Sequence, residues 1–274
     1  MSKLVGIMRA EVYSPRSNDT AIMESVTHLL MLRRHHVEIV SETDVDRFPQ
    51  KANLYFSMAR SPEALAALDG RCVVNAPQGV RNCRREALTA LMQTNHVPMP
   101  KTVLMDTASS EFTLPLPSGP LWLKRADGWS MSADDVCQVH NEGELKAALL
   151  EFNKRGIAAV VASEHLAGDL VKFYGVKDTG FFYWYYPEGE GRFGHERENG
   201  LTRGYTFSAT ALNHEAERLA GLIGIDIYGG DAVIDERGQF KLIDFNDWPS
   251  FSRCIGDAAT AIADLLETHL DDGI

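Results

Sequence analysis

Strands and helices alternate through the first hundred residues, and this order constrains the fold more than any other feature of the sequence. One helix follows the capping residue Asn18, a second begins at Ser61-Pro62, and a third covers about 82–95. The apolar strand segments lie at 3–8, 37–40, 53–58 and 72–77. Strands that alternate with helices pair in parallel, so residues 1–100 are predicted to form a doubly wound, Rossmann-like α/β domain.

The order of elements changes after residue 100, where strands begin to follow one another directly. Two further units of α+β type are predicted, a central one over 101–165 and a C-terminal one over 166–274. Their strands and helices are predicted within 121–125, 136–140, 144–155, 158–163, 169–187, 208–222, 229–250 and 257–270. The chain is therefore expected to hold three structural units.

Charge and composition argue against several classes of partner. The 38 acidic side chains outnumber the 27 basic ones, and the net charge of −11 disfavours nucleic acid, because such binding depends on neutralising phosphates. No apolar run approaches the ~20 residues that a membrane span needs. The four cysteines stand apart without a C-x-x-C pair, as is typical of reduced thiols in the cytoplasm. We expect a cytoplasmic protein without nucleic-acid or membrane partners, and the oligomeric state is left open.

Three polar residues interrupt the apolar strand segments near the C-terminal end. In "GGDAVIDERGQFKLIDFNDWPS" (229–250), Asp231 precedes a turn, and Asp244 and Asn246 follow it. Side chains alternate faces along a strand, so Asp244 and Asn246 share one face and can lie opposite Asp231 across an antiparallel pair. Two carboxylates and an amide supply the hard oxygen ligands that suit Mg²⁺. The alternative is that Asp231 caps the turn while the other two residues end a strand.

From residue 124 onwards, one set of residues follows a recognisable order: Lys124, Lys172, Asp231, Asp244, Asn246 and Pro249. This order resembles that of the ATP-grasp enzymes, and the resemblance covers nearly the whole chain. It implies an ATP-grasp fold of mixed α/β and α+β class behind an N-terminal Rossmann-like domain. It also implies that ATP and Mg²⁺ bind between the central and C-terminal units. The family usually has glycine after this proline, whereas this chain has Ser250.

The resemblance further implies which residues bind the nucleotide. Lys124 and Lys172 would contact the phosphates, loop 126–132 would fold over them, and Leu242 would pack beneath the base. The implied nucleotide-binding residues are Lys124, Gly128, Ser130, Glu164, Leu166, Asp169, Lys172 and Leu242. Two alternatives follow from the residues alone: the lysines extend from their strands to solvent, and the glycine-poor loop is an ordinary surface connection.

Arginines that follow the strands of the first domain predict an anionic substrate. Arg9 follows the first strand and Arg60 the third, at the sheet edge where open α/β folds bind ligands. The predicted substrate contacts are Arg9, Arg16, Arg60, Arg81 and Arg84. The predicted catalytic set is Lys124, Lys172 and Arg203, with Arg192 and Arg197 as equal candidates for the place of Arg203. The alternative for each arginine is a solvated surface residue.

Three functions fit this set of residues. The first is transfer of the γ-phosphoryl group of Mg-ATP to a carboxylate, giving an acylphosphate that an amine then attacks, as in the ATP-grasp ligases. The second is a kinase acting on a hydroxyl, because the Asp244 form of the motif resembles that of the inositol trisphosphate kinases. The third is nucleotide binding without turnover. In the first two cases the ligands are ATP, Mg²⁺ and a small anionic acceptor.

Overall fold

The structure is a computed structural model that describes residues 1–14, 18–109, 119–187 and 201–271. Within these ranges the chain forms three four-stranded sheets and seven α-helices. None of these helices is long and apolar enough to cross a membrane.

The first sheet is parallel throughout and has the strand order β2-β1-β3-β4. Its strands and the helices that follow them are β1 (Lys3–Met8), α1 (Asp19–Leu32), β2 (His36–Ser41), β3 (Leu54–Ser57), α2 (Pro62–Leu68), β4 (Val73–Val74), α3 (Pro77–Asn82) and α4 (Arg85–Thr94). The predicted α/β class with a Rossmann-like first sheet is confirmed.

Helices cover both faces of this sheet, which explains why its central strand β1 has an unbroken apolar run. Leu4 packs with Ile22 of α1 and with Ile262 of the last helix, α7 (Ile255–Asp271). Its neighbour Val5 points to the opposite face and packs with Leu68 of α2. A strand that is buried on both faces carries no polar alternation.

Two elements of the first hundred residues differ from the prediction. The strand predicted at 72–77 is reduced to Val73–Val74, because Pro77 stands at the first position of α3, where a proline favours helix. The helix predicted at 82–95 is α4, Arg85–Thr94, and α3 before it was not predicted; Arg84, with an extended backbone, separates the two. Ser61 caps α2 as predicted, whereas Asn18 makes no side-chain cap bond.

The second sheet is antiparallel, with the order β5-β8-β6-β7. It is built from β5 (Thr102–Asp106), β6 (Leu121–Arg125), β7 (Val136–Val139) and β8 (Ala159–Glu164), and α5 (Glu142–Lys154) covers one face. The sequence had indicated no strand at β5. The loop between β6 and β7 contains residues 126–132 and ends in a short 3₁₀ turn at Ala133–Asp135.

The third sheet is also antiparallel, with the order β10-β9-β11-β12. Its elements are β9 (Asp169–Val176), β10 (Phe181–Tyr185), α6 (Ala209–Ile223), β11 (Ile227–Ile234) and β12 (Phe240–Asp247). Helix α6 packs on one face through Leu212 and Leu219. Helix α7 packs between the third sheet, where it contacts β9 and β10, and the first sheet, where it contacts α1 and β3. The division into domains at 100 and 165 stays a prediction.

Candidate functional site

A cavity of about 750 Å³ is lined by residues from all three sheets and their loops. Arg60 reaches it from the first sheet, Lys124 from the second, and Lys172, Asp231 and Asp244 from the third. Small-molecule sites in proteins have volumes of this order. The fold therefore assembles, around one space, residues that are far apart in the sequence.

The face of the third sheet opposite α6 forms the floor of this cavity. In an antiparallel sheet directly opposed residues point to the same face, so Tyr185, Lys172, Asp231 and Asp244 form a row across the four strands. The Lys172 ammonium lies 3.2 Å from Asp231 Oδ2. The predicted convergence of Asp231 and Asp244 is present, and a lysine stands beside them.

Along the strands, the side chains that form the floor change from apolar to charged and then to aromatic. Two residues before Lys172 lies Leu170, which pairs with Val233, and both line the cavity. Two residues after Lys172 lies Tyr174, which pairs with Gly229. The cavity thus runs from an apolar end near the β8–β9 connection, through the charged row, to the arginines of the first sheet.

Asp231, Asp244 and Asn246 all line the cavity, and the Asn246 amide hydrogen-bonds to Asp244. Burial raises the pKa of Asp231, and the Lys172 charge only partly offsets this. Burial also acts to raise the pKa of Asp244, but Lys124 and Arg85 outweigh it and lower that pKa. Across the described ranges no cluster of three or more His, Cys, Asp or Glu side chains is placed to hold a metal. The two carboxylates and one amide, with room beside them, nevertheless fit a hard cation that keeps other oxygen ligands.

Lys124 enters the same space from β6. Its ammonium donates to the carbonyl of Ile243, at 3.1 Å, and this contact joins the second sheet to the third. Burial lowers the pKa of Lys124, although attraction from Asp244 opposes the change. The structure shows a half-buried cation beside two carboxylates, rather than a lysine extended to solvent.

The predicted role of Leu242 is wrong, and the reason is a β-bulge in β12. Asp231 pairs with Asp244, but the next residue, Ala232, pairs with Leu242, so Ile243 is the extra residue. The bulge changes which residues of β12 point into the cavity. Leu242 is 0% exposed and packs in the core under α6, whereas Ile243 lines the cavity.

Helix α4 anchors the loop between β6 and β7. The Arg85 guanidinium donates to the Arg125 carbonyl at 2.8 Å, and to Ser130 Oγ at 3.3 Å. Arg84, predicted to bind substrate, instead donates to the Asp127 carbonyl and does not line the cavity. Ser130 lines the cavity, but Gly128 does not.

Arg85 was therefore missed by the sequence analysis, which selected its neighbour. It is half-buried beside Asp244 and lines the cavity. Both arginines stand at the start of a helix, and nothing local indicates which of the two turns inward. Only the position of the loop decides between them.

Arg9 and Arg60 come together at the carboxyl ends of β1 and β3, as predicted, and both line the cavity. They converge on a carboxylate that the sequence analysis overlooked. Asp247 is 0% exposed, and its oxygens accept from Arg60 Nη2 and from Arg9 Nη2, each at 2.7 Å. Much of the positive charge assigned to an anionic substrate is thus already balanced within the protein.

Three other predicted residues lie outside the cavity. Arg81 forms an exposed two-pronged pair with Asp69. Asp169, predicted near the ribose, is buried and accepts from the backbone amides of Arg203 and Tyr205. The Arg203 side chain turns to the Tyr205 hydroxyl, at 2.8 Å. Their contacts stabilise the surrounding chain, and none of the three side chains lines the cavity.

Glu164 and Leu166 line the apolar end of the cavity, together with Trp122 and Pro100. The Glu164 carboxylate accepts from Lys241 Nζ, at 3.0 Å, beside that end. Arg16, Arg192 and Arg197 lie outside the described residues.

No protein-family model and no curated protein sequence matches the chain. Solved structures match over nearly their full lengths. A RimK domain protein ATP-grasp from Sphaerobacter thermophilus has a TM-score of 0.65 at 18% identity, with 96% of this chain and 99% of that chain covered. D-alanyl-alanine synthetase A from Vibrio cholerae has a TM-score of 0.69 at 12% identity, with 99% and 98% covered.

A D-alanine--D-alanine ligase from Bacillus anthracis complexed with ATP is similar too, with a TM-score of 0.66 at 11% identity over 100% of this chain and 96% of that one. Identities this low establish the fold alone. The ATP-grasp fold implied by the sequence is confirmed.

Proposed function

We propose that this protein is an ATP- and Mg²⁺-dependent ligase. It would transfer the γ-phosphoryl group of ATP to a small carboxylate acceptor, and an amine would then attack the acylphosphate. The observation that carries the proposal is a cavity in which an apolar end, two half-buried lysines and the Asp231–Asp244–Asn246 set follow one another. The similar D-alanine--D-alanine ligase, which was solved in complex with ATP, supports the same class of reaction.

The cavity divides into parts that match the parts of ATP. The apolar end, with Leu170, Val233 and Ile243, suits a base. Lys124 and Lys172 would neutralise phosphate oxygens next to it. Asp231, Asp244 and Asn246 would hold Mg²⁺, which neutralises charge on the phosphates when it is bound.

The chain need not supply a nucleophile of its own. A carboxylate oxygen of the acceptor bonds to the γ-phosphorus while the bond to the β–γ bridging oxygen breaks, and ADP leaves with the electron pair. The amine nitrogen then bonds to the acyl carbon, phosphate leaves, and the nitrogen loses a proton. The residues contribute position and charge neutralisation, which dominate phosphoryl transfer.

Screening small carboxylates for acceptor-dependent ADP release tests the proposal directly. With hydroxylamine in place of the amine, a ligase would form a hydroxamate from the acylphosphate. A stable phosphate ester and no hydroxamate would instead establish the kinase, the alternative that the Asp244 form of the motif favours. Nucleotide binding with no acceptor-dependent turnover would contradict both enzymatic functions.

Variants of the metal set make the test specific. Asp244→Asn and Asn246→Ala should abolish Mg²⁺-dependent turnover while the thermal unfolding midpoint stays near that of the wild type. Asp235→Asn is the matched control, because Asp235 only accepts from backbone amides in the turn between β11 and β12. Full activity in both metal-set variants would remove the metal site from the proposal.

A further inference from the structure

Asp247 stands directly beside the residues of the proposed metal site. It is the last residue of β12, the strand that carries Asp244 and Asn246. In the order β10-β9-β11-β12 this strand lies at the edge of the third sheet, where β11 is its partner. The last two pairs join Gly229 to Asn246 and Tyr228 to Asp247. Contacts from outside the sheet can therefore influence where the end of β12 lies.

The chain turns sharply after β12, in a conformation that needs support. Trp248 has a φ of 36° and Phe251 a φ of 49°, values that residues with large side chains seldom adopt. Such a backbone is strained and persists only where the surrounding structure holds it. The turn folds back onto β11, because a Cβ atom on Gly229 would lie only 2.8 Å from Pro249 Cγ. The turn thus packs against the residue that pairs with Asn246.

Arg9 and Arg60 supply support from the first sheet. Each donates to one oxygen of the Asp247 carboxylate at 2.7 Å. Both also reach the backbone of the turn: Arg60 Nη2 lies 3.3 Å from the Asp247 carbonyl oxygen, and Arg9 Nη1 lies 3.4 Å from that of Trp248. The arginine side chains are only 2% and 8% exposed, as expected of groups that bind the protein itself.

Glu42 fixes the loops that carry the two arginines. It follows β2 and is 1% exposed. Its carboxylate accepts from the backbone amides of Ala10, Arg60 and Ser61, at 2.5, 2.8 and 2.7 Å. Since Ala10 follows Arg9, both loops are bound to one buried carboxylate. A continuous set of contacts thus runs from the first sheet, through the two guanidinium groups, to the end of β12.

We infer that Arg9 and Arg60 are positioning residues for the proposed metal site. Through Asp247 they hold the end of β12, and so keep Asp244 and Asn246 where they bind Mg²⁺. The inference rests on the proposed function, and it gives the two arginines a role other than the substrate contact that the sequence predicts. Replacing residues that orient metal ligands from behind typically costs about ten- to one hundredfold in metal affinity.

Calorimetry with and without Mg²⁺ separates this role from a direct contact with the nucleotide. Arg60→Lys keeps the charge, but an ammonium lacks the planar fork with which a guanidinium binds a carboxylate. Its affinity for the non-hydrolysable analogue adenylyl imidodiphosphate should fall about tenfold or more with Mg²⁺ present, and should stay within about twofold in EDTA. Arg9→Lys should show the same pattern, because Arg9 binds the other oxygen of Asp247. Asp244→Asn, which removes a proposed metal ligand, is the reference for a loss confined to Mg²⁺.

Arg81→Lys is the matched control. Arg81 makes a two-pronged contact with Asp69 at the surface and does not line the cavity, so neither affinity should change. Circular dichroism checks the fold of each variant, and Arg9→Lys decides the test if Arg60→Lys does not fold.

Equal losses with and without Mg²⁺ would mean that the arginines contact the nucleotide or only maintain the fold, and would overturn the inference. Unchanged affinities under both conditions would overturn it as well. If Mg²⁺ does not raise the affinity of the wild type for the analogue, the metal site of the proposed function itself fails.

Discussion

Arg60 Nη2 lies 2.7 Å from Asp247 Oδ1, and this bond joins the end of β3 to the last residue of the strand that carries Asp244 and Asn246. Arg9 binds the other oxygen of the same carboxylate. The end of the cavity next to the first sheet is therefore built around one buried anion that two cations share.

Replacing Asp247 with alanine should strongly destabilise the protein. Two guanidinium groups would stay buried without their shared partner, and breaking a buried ion pair in this way typically costs about 3–5 kcal/mol. Urea unfolding monitored by circular dichroism measures the loss. The control is Asp69→Ala, which breaks the exposed pair with Arg81 and should change stability little. Equal, small effects in both variants would contradict the account of Asp247 as a shared buried partner.

The bulge in β12 predicts opposite phenotypes for two adjacent residues. Ile243→Ala should weaken Mg-ATP binding by about tenfold through lost apolar contact in the cavity, with a small loss of stability. Leu242→Ala should instead destabilise the fold by about 2–5 kcal/mol, because it leaves a space in the core under α6. Calorimetry and urea unfolding on both variants provide the comparison. If Leu242→Ala impaired nucleotide binding while Ile243→Ala did not, the unbulged register would be the correct one.

Lys172→Met should weaken Mg-ATP binding at least tenfold. The ammonium is part of the charged row and stands beside Asp231, so its loss removes a contact to phosphate and leaves that carboxylate less balanced. Isothermal calorimetry measures the dissociation constant. Lys177→Met serves as the control, since Lys177 pairs with Asp178 at the turn after β9 and does not line the cavity. Matching affinities in Lys172→Met and the wild type would show that Lys172 does not bind the nucleotide.

Asp135 predicts a pH-dependent contribution to stability. Burial acts to raise its pKa, but hydrogen bonds from the Met131 and Ser132 amides and the charges of Arg125 and Arg155 outweigh it, so the pKa lies below its ordinary value. The stabilisation is complete above the unfolded-state pKa of about 4 and is lost as the pH falls through the lowered folded-state pKa.

Asp135→Asn should therefore lower the free energy of unfolding by about 1–3 kcal/mol at pH 7. The difference from the wild type should shrink as the pH falls below about 4, because the carboxyl group of the unfolded chain then begins to take up a proton and the folded one follows at lower pH. Urea unfolding at pH 7 and pH 3 gives both values. A difference that is the same at the two pH values would contradict the assigned role of the carboxylate.

The sequence by itself determined most of the elements and the central feature of the site. The apolar segments of the first sheet and the strand positions of Lys172, Asp231 and Asp244 follow from local periodicity, because side chains alternate along any strand. The order of these residues along the chain also resembles that of the ATP-grasp enzymes, and this resemblance implied the fold. Most predictions that depended on neighbours in the sequence agreed with the structure; the strand at 72–77, the Asn18 cap and β5 are the exceptions.

Only the tertiary structure decided which residues of the site contact one another. No local pattern shows that Ile243 is a bulge residue, since the bulge exists only in the pairing of β12 with β11. Arg84 and Arg85 are equivalent in sequence, and the position of the β6–β7 loop decides which one faces the cavity.

In the sequence, Asp247 is one more acidic residue at the end of a strand. Its partners Arg9 and Arg60 lie more than 180 positions away and reach it only in the folded chain. Alternation along a strand is a property of the nearby backbone. The partner of a buried charge depends instead on which distant segments pack together. This is why the sequence predicted residues of the candidate site but not the residues that contact them.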